Sequence, residues 1–312
     1  MSQLLAVFGA TGLQGGSVID HVLNDIELSQ QYRLRAITRD PASNKAKELQ
    51  DKNIEVVQGD VSDRISLDKA LTGVHTVFLM TTPGFGTDAI QIEFDAAKNV
   101  ADVSVERGVQ YIIFSTLPPV KDISGGKYSK ITMFDAKAKA ESYIRSLPIR
   151  STFYSPSSFM EIWITVAAPK RISDGSNKFI MAQPASPKTR VPLVDAASDT
   201  GKFIAAILAN PETYKGKTVY GAVRTYSLEE MAAVFAKVTN ADVTCKQISV
   251  EEFTANMPFG GDIAAEVFSY YEEFGYYGTN TEELVASSAE EDARERLTTF
   301  EEFLVKRNFR LE

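Results

Sequence analysis

The segment LLAVFGATGLQGGSVIDHVL, residues 4–23, restricts the fold more than any other part of the chain. A short apolar run enters Gly9-Ala10-Thr11-Gly12-Leu13-Gln14-Gly15, and a helical stretch with Val18, Ile19, Val22 and Leu23 on one stripe follows at once. Spaced glycines alone are weak information, because many turns at positive φ take glycine. Between a strand and a helix each has its own task. Gly9 permits the tight turn, Gly12 lets the backbone approach a diphosphate, and Gly15 lets helix and strand pack closely. The unpaired amides and positive dipole end of the helix then face an anion without any lysine. The corner is therefore expected to hold a dinucleotide through Gly9, Thr11, Gly12, Leu13, Gln14 and Gly15.

The same alternation continues downstream. Apolar or β-branched runs predict strands at 4–8, 33–38, 54–58, 74–80, 111–115 and 150–154. Helical spacing links them, with Ile92, Ala96, Val100 and Val103 forming a second stripe expected to pack on a sheet. Strands joined through helices run mostly parallel with right-handed crossovers. The fold class is thus α/β: a Rossmann-type doubly wound parallel sheet over residues 1–156, followed by a smaller, mainly helical C-terminal lobe over 157–312. In that lobe a helix is expected from Asp195 to the Asn210-Pro211 stop, and Ser227 with Glu230 and Ser249 with Glu252 read as capping boxes. Residues 217–222 are a candidate strand for return to the main sheet.

Composition removes several function classes. With 33 Lys plus Arg against 41 Asp plus Glu, net −8, the surface repels phosphate backbones, so direct nucleic-acid binding is not expected. The single Cys245 excludes an internal disulfide and a cysteine-based zinc site. His21 and His75 lie in unrelated segments without a ligand set, so no metal centre is expected. The N-terminus lacks a basic segment and cleavage site, and the longest apolar runs fall far short of the roughly 20 residues of a membrane span. A cytoplasmic or nucleocytoplasmic protein is expected.

The end of the second strand chooses between nicotinamide cofactors, since a residue there meets the adenosine ribose. An acidic side chain accepts the 2'-hydroxyl, whereas an arginine pairs with a 2'-phosphate. The chain reads AITRDP, with Arg39 at the strand end, Asp40 behind it and Lys45 close by, so NADP(H) is expected over NAD(H). Equivalent strand ends place Gly59, Asp60 and Val61 by the adenine and Thr81, Thr82 and Pro83 by the central part of the cofactor. Ser115-Thr116 reads as either a cleft contact or a strand cap. Tyr154, Pro156, Ser157 and Phe159 close the sixth strand at the edge where ligands collect, with their backbone expected along the nicotinamide.

These segments, with QGDVSD, FDAKAKAE, YSPSSFMEIW, VPLVDAASDTGKFIAAIL and SLEEMAAVF, resemble the NmrA-like family of atypical short-chain dehydrogenase/reductases. The resemblance covers most of the chain and implies a Rossmann domain holding NADP(H), closed by a smaller lobe. It also implies one of two functions: NADPH-dependent reduction of a small substrate, or non-catalytic sensing of the cofactor on behalf of a regulatory protein partner. Lys137, in FDAKAKAE, resembles the active-site lysine of the family. Four residues earlier stands Met133 where a Tyr-x-x-x-Lys pair needs tyrosine, and a thioether transfers no proton. Two site roles stay open for Lys137, a cofactor contact or a general acid toward substrate, beside that of a solvated helix lysine. By resemblance Phe159 and Met160 lie near the pocket. The aromatic run 268–277 is either a wall of an apolar pocket or packing of the small lobe, and Trp163 is read the same way.

Overall fold

The computed structural model describes residues 2–84, 86, 88–172, 177–257 and 259–312. In chain order the strands are β1 (Gln3–Phe8), β2 (Tyr32–Thr38), β3 (Glu55–Gln58), β4 (Thr76–Leu79), β5 (Tyr111–Ser115), β6 (Arg150–Pro156), β7 (Ser158–Phe159), β8 (Lys170–Arg171), β9 (Lys178–Gln183), β10 (Arg190–Val194), β11 (Thr218–Gly221), β12 (Arg224–Ser227) and β13 (Asp242–Gln247). The helices are α1 (Leu13–Asn24), α2 (Ile26–Gln31), α3 (Asn44–Asp51), α4 (Arg64–Ala70), α5 (Ala89–Glu106), α6 (Val120–Ile123), α7 (Thr132–Ser146), α8 (Met160–Trp163), α9 (Ala196–Ala209), α10 (Pro211–Tyr214), α11 (Leu228–Thr239), α12 (Val250–Ala255), α13 (Gly261–Phe274), α14 (Thr281–Glu291) and α15 (Phe300–Lys306).

Seven strands form one sheet in the order β11-β6-β5-β4-β1-β2-β3, every neighbouring pair parallel. The chain runs outward from β1 to β3, then returns to start again at β4 on the other side. That reversal makes a topological switch point between the carboxyl ends of β1 and β4, where open α/β sheets leave a crevice. Strand β5 shows why both faces are covered: Tyr111 and Ile113 enter the core under α1 and α9, while Ile112 and Phe114 enter the one under α5 and α7. Alternate side chains of one strand thus bury in opposite layers, each worth about 1.5–3 kcal/mol when fully removed from water.

All six expected strands form, and residues 217–222 supply β11, which pairs with β6 at the sheet edge. The second-stripe expectation needs correction. Ile92 is exposed and Ala96 is half-buried, while Glu93, Ala97, Val100, Ala101 and Val103 form the buried face of α5. An acid, Glu93, rather than the apolar Ile92 takes the buried position.

The C-terminal lobe is helical as expected and also holds two three-stranded sheets, β12-β10-β7 and β13-β9-β8. Helix α9 lies across α1, where the Gly201 amide donates to Ser17 Oγ at 2.9 Å. A Cβ on Gly201 would strike the Ser17 carbonyl, so this crossing requires glycine. No helix among the described residues is long and apolar enough to cross a membrane.

Candidate active site

The glycine corner sits at the switch point. Gly9 has φ +66°, a left-handed turn, and a Cβ there would meet Met80 Sδ at 2.5 Å. The Gly12 amide closes the turn onto the Gly9 carbonyl at 2.9 Å. A Cβ on Gly15 would overlap the Gly9 carbonyl and the Ala10 amide, so the third glycine serves close packing of helix on strand. Gly12 is the N-cap of α1, no side chain caps it, and the first turn holds no acid. The positive end of the helix is therefore left for an anion. Thr11, Gly12 and Leu13 are accessible, whereas Gln14 is buried and accepts a 2.8 Å hydrogen bond from Ser115 Oγ. Of the two readings of Ser115, the hydroxyl is engaged in tying the end of β5 to the glycine corner.

Along the rim, Lys45 Nζ donates to the Thr11 carbonyl at 3.3 Å, which brings α3 to the same corner. Arg39 is exposed, and its guanidinium has no hydrogen bond or ion pair among the described residues. Its charge acts on Asp60. There, hydrogen bonds from the Ser62 side chain and backbone hold the carboxyl below its usual range, helped by the Arg39 charge. The Val61 carbonyl accepts from the side-chain amide of Asn99 on α5 at 3.0 Å. Asn99 had no signal in the sequence, since a lone polar residue on a helix reads as solvated.

Lys137 is 7% exposed and lies in α7 with its ammonium aimed at the end of β4. It donates to the Thr81 carbonyl at 2.9 Å and to Thr81 Oγ1 at 2.8 Å, and pairs with Glu93 Oε1 at 2.7 Å. Thr81 Oγ1 donates onward to the same carboxylate oxygen at 2.7 Å. The three ammonium donors are thus all taken. Burial lowers the Lys137 pKa, and the Glu93 carboxylate works against that lowering. Met133, one turn earlier, is half-buried against the aromatic core of the lobe and supplies no proton. Thr82 and Pro83 follow in exposed positions beyond Thr81. Glu93 and Met80 were missed by sequence reasoning; only spatial adjacency brings them to the site.

At the end of β6, Tyr154 points into the core, its ring 5.6 Å from that of Phe203 and against Gly221. The Ser155 and Pro156 carbonyls accept from Tyr277 and Tyr276 hydroxyls at 2.8 and 3.2 Å. Ser157 is buried with its hydroxyl unpartnered among the described residues, and Phe159 packs from β7 on the α1/α9 core. The aromatic run therefore packs the lobe and clamps the strand end. Trp163 is buried in the lobe core too. Tyr271 and Phe274 also line a concavity of about 460 Å³ with Lys188, Arg190 and Glu282, which contains none of the residues at the glycine corner. Among the described residues no group of three or more His, Cys, Asp or Glu is arranged to hold a metal ion.

The glycine cradle, an uncapped helix start and an unpaired guanidinium beyond β2 together define a Rossmann-type α/β protein whose switch-point site suits a dinucleotide. Comparison narrows this. The sequence pattern of the NmrA-like family matches residues 1–304, so the chain belongs to that family. An NmrA-like family domain-containing protein of Dictyostelium discoideum is 29% identical over 319 residues, covering 100% of both chains. The NmrA-like oxidoreductase FrzB of Cladobotryum sp. is 30% identical over 254 residues, 77% of this chain and 74% of its own. Among solved structures, the negative transcriptional regulator NmrA in complex with NADP superposes with a TM-score of 0.77 at 23% identity, covering 97% of this chain and 94% of that one.

Proposed function

We propose that this protein is an NADP(H)-dependent oxidoreductase acting on a small, largely apolar carbonyl, imine or activated alkene. The observation that carries the reading is the pairing of a glycine cradle at the switch point with the Arg39 guanidinium beyond the second strand, which has no partner among the described residues. Gly9, Thr11, Gly12, Leu13, Gln14 and Gly15 would hold the diphosphate through backbone amides, and Arg39 with Lys45 would hold the 2'-phosphate. Asp60 and Val61 would flank the adenine. Thr81, Thr82 and Pro83 would border the middle of the cofactor, and the backbone at Tyr154, Pro156, Ser157 and Phe159 its nicotinamide end. The chemistry supplied by bound NADPH is hydride donation. Lys137 would order the site: its ammonium donates to the Thr81 carbonyl and hydroxyl just beyond the end of β4. The name and NADP complex of the relatives support the reading by analogy.

The test is loss of 340 nm absorbance when purified protein and NADPH meet a panel of aldehydes, quinones, enones and imines. Turnover that depends on the cofactor is expected. No turnover across the panel, with tight NADP(H) binding, would replace it with a second reading. In that reading the protein reports NADP(H) occupancy to a regulatory partner. A specific observation favours this alternative: Met133 carries no proton, and all three donors of Lys137 are engaged. A ligand can shift such a protein only through differential affinity for two states, so partner binding that changes with NADP(H) would establish it.

A further inference from the structure

Glu93 is 1% exposed on a face of α5 that otherwise buries Ala97, Val100 and Ala101. Its Oε1 accepts from both Lys137 and Thr81, while its Oε2 is buried without a hydrogen-bond partner among the described residues. As an element of stability alone this is a poor arrangement. Two charges are taken out of water, one carboxylate oxygen finds no partner among the described residues, and a well-packed apolar pair would serve the core at least as well. The arrangement does accomplish one other thing: it ties α5 and α7 to Thr81, two residues beyond β4, at the switch point and one residue from the Met80 side chain that lies over Gly9.

We propose that Glu93 is a positioning residue for the cofactor, holding the Lys137 ammonium against the Thr81 carbonyl so that the end of β4 is fixed where the dinucleotide crosses the sheet. The proposal rests on the NADP(H) reading above and adds to it a residue that touches neither cofactor nor substrate. The other charged residues of the neighbourhood have partners of their own. Lys139 donates to Gln91 at 2.9 Å and Asp135 accepts from the Lys121 amide at 3.0 Å, so Glu93 is the charged group acting on Lys137 among the described residues. With the carboxylate neutralised, burial alone governs the lysine, and its ammonium loses its proton at lower pH. Both the Thr81 carbonyl and an anionic cofactor favour the charged form.

The experiment measures the NADPH dissociation constant by fluorescence from pH 6 to 9 for the wild type, Glu93→Gln and Glu93→Asp, alongside thermal unfolding. Glu93→Gln is expected to bind at least ten-fold more weakly, with affinity falling further as pH rises and a flatter profile in the wild type. Glu93→Asp should recover part of the loss. A structural role alone would lower the unfolding temperature of Glu93→Gln yet leave the dissociation constant and its pH profile unchanged well below that temperature, and this would overturn the proposal. Should Glu93→Gln fail to fold, Glu93→Asp carries the test, since it keeps the charge and shortens its reach: weaker NADPH binding well below the unfolding temperature supports the proposal, and binding equal to the wild type at every pH overturns it. A wild type that binds no NADPH removes the cofactor reading itself, so the two failures are distinct.

Discussion

A methyl group on Gly15 has nowhere to go, because the Gly9 carbonyl and Ala10 amide occupy its position. Backbone cannot rotate away as a side chain can. Gly15→Ala is therefore expected to cost about 1–3 kcal/mol, the usual penalty for overpacking, visible as a lower urea midpoint, and to weaken NADPH binding as the corner opens. Arg39 presents the opposite case, an exposed side chain without a partner among the described residues. Arg39→Asp should change stability little but weaken NADPH at least ten-fold while leaving NADH binding nearly unchanged, as read by calorimetry. Equal losses for the two nucleotides would refute the assignment of the guanidinium to the 2'-phosphate.

At the scale of elements, most of what the sequence announced was periodic. The strand at 111–115 was legible as a short run of four consecutive apolar residues closed by Ser115, with Gly108 before it and Pro118-Pro119 after it, the mark of a strand buried on both faces. Lys137 was legible through its surrounding FDAKAKAE, but its partner was not: an acid inside a helix reads as solvated, and Glu93 displaced Ile92 from the buried face only because Lys137 arrives from a different helix. Caps behaved similarly. Ser227 and Glu230 form both bonds of the box, whereas Ser249 accepts from the Glu252 amide without a return bond among the described residues. At the start of α15 two overlapping Thr-x-x-Glu patterns exist, beginning at Thr298 and Thr299, and the structure uses the second. Arg296 and the Thr299 backbone and hydroxyl draw the Glu302 pKa from 4.5 to about 2. The stabilisation from this carboxylate is present above pH 4.5 and fades as pH falls toward 2. The difference in melting temperature between wild type and Glu302→Gln should shrink over that window. Thr299→Ala should cost about 1 kcal/mol near neutral pH by chemical denaturation.

Over the whole molecule, sequence order and spatial order part company. Helix α9 comes after the first six strands yet packs on α1, and β11 comes later still yet pairs with β6. The sequence marks 217–222 as a candidate for return to the main sheet, but neither its partner strand nor the packing of α9 on α1 follows from local pattern, since long-range pairing depends on which edge and face remain uncovered. A fragment of residues 1–156 leaves the α1 face and the β6 edge bare, so it should show no cooperative thermal transition by circular dichroism. The intact chain should lose near- and far-ultraviolet signals together.

The late arrival of β11 also sets a timetable for biosynthesis. Until residue 221 has left the ribosome, β6 presents a row of unpaired amides and carbonyls to whatever it meets, and two-thirds of the nascent chain must wait with that border unsealed. Holding factors that shield open strands during translation should therefore raise the yield of this protein more than that of a protein whose outermost strand is made early.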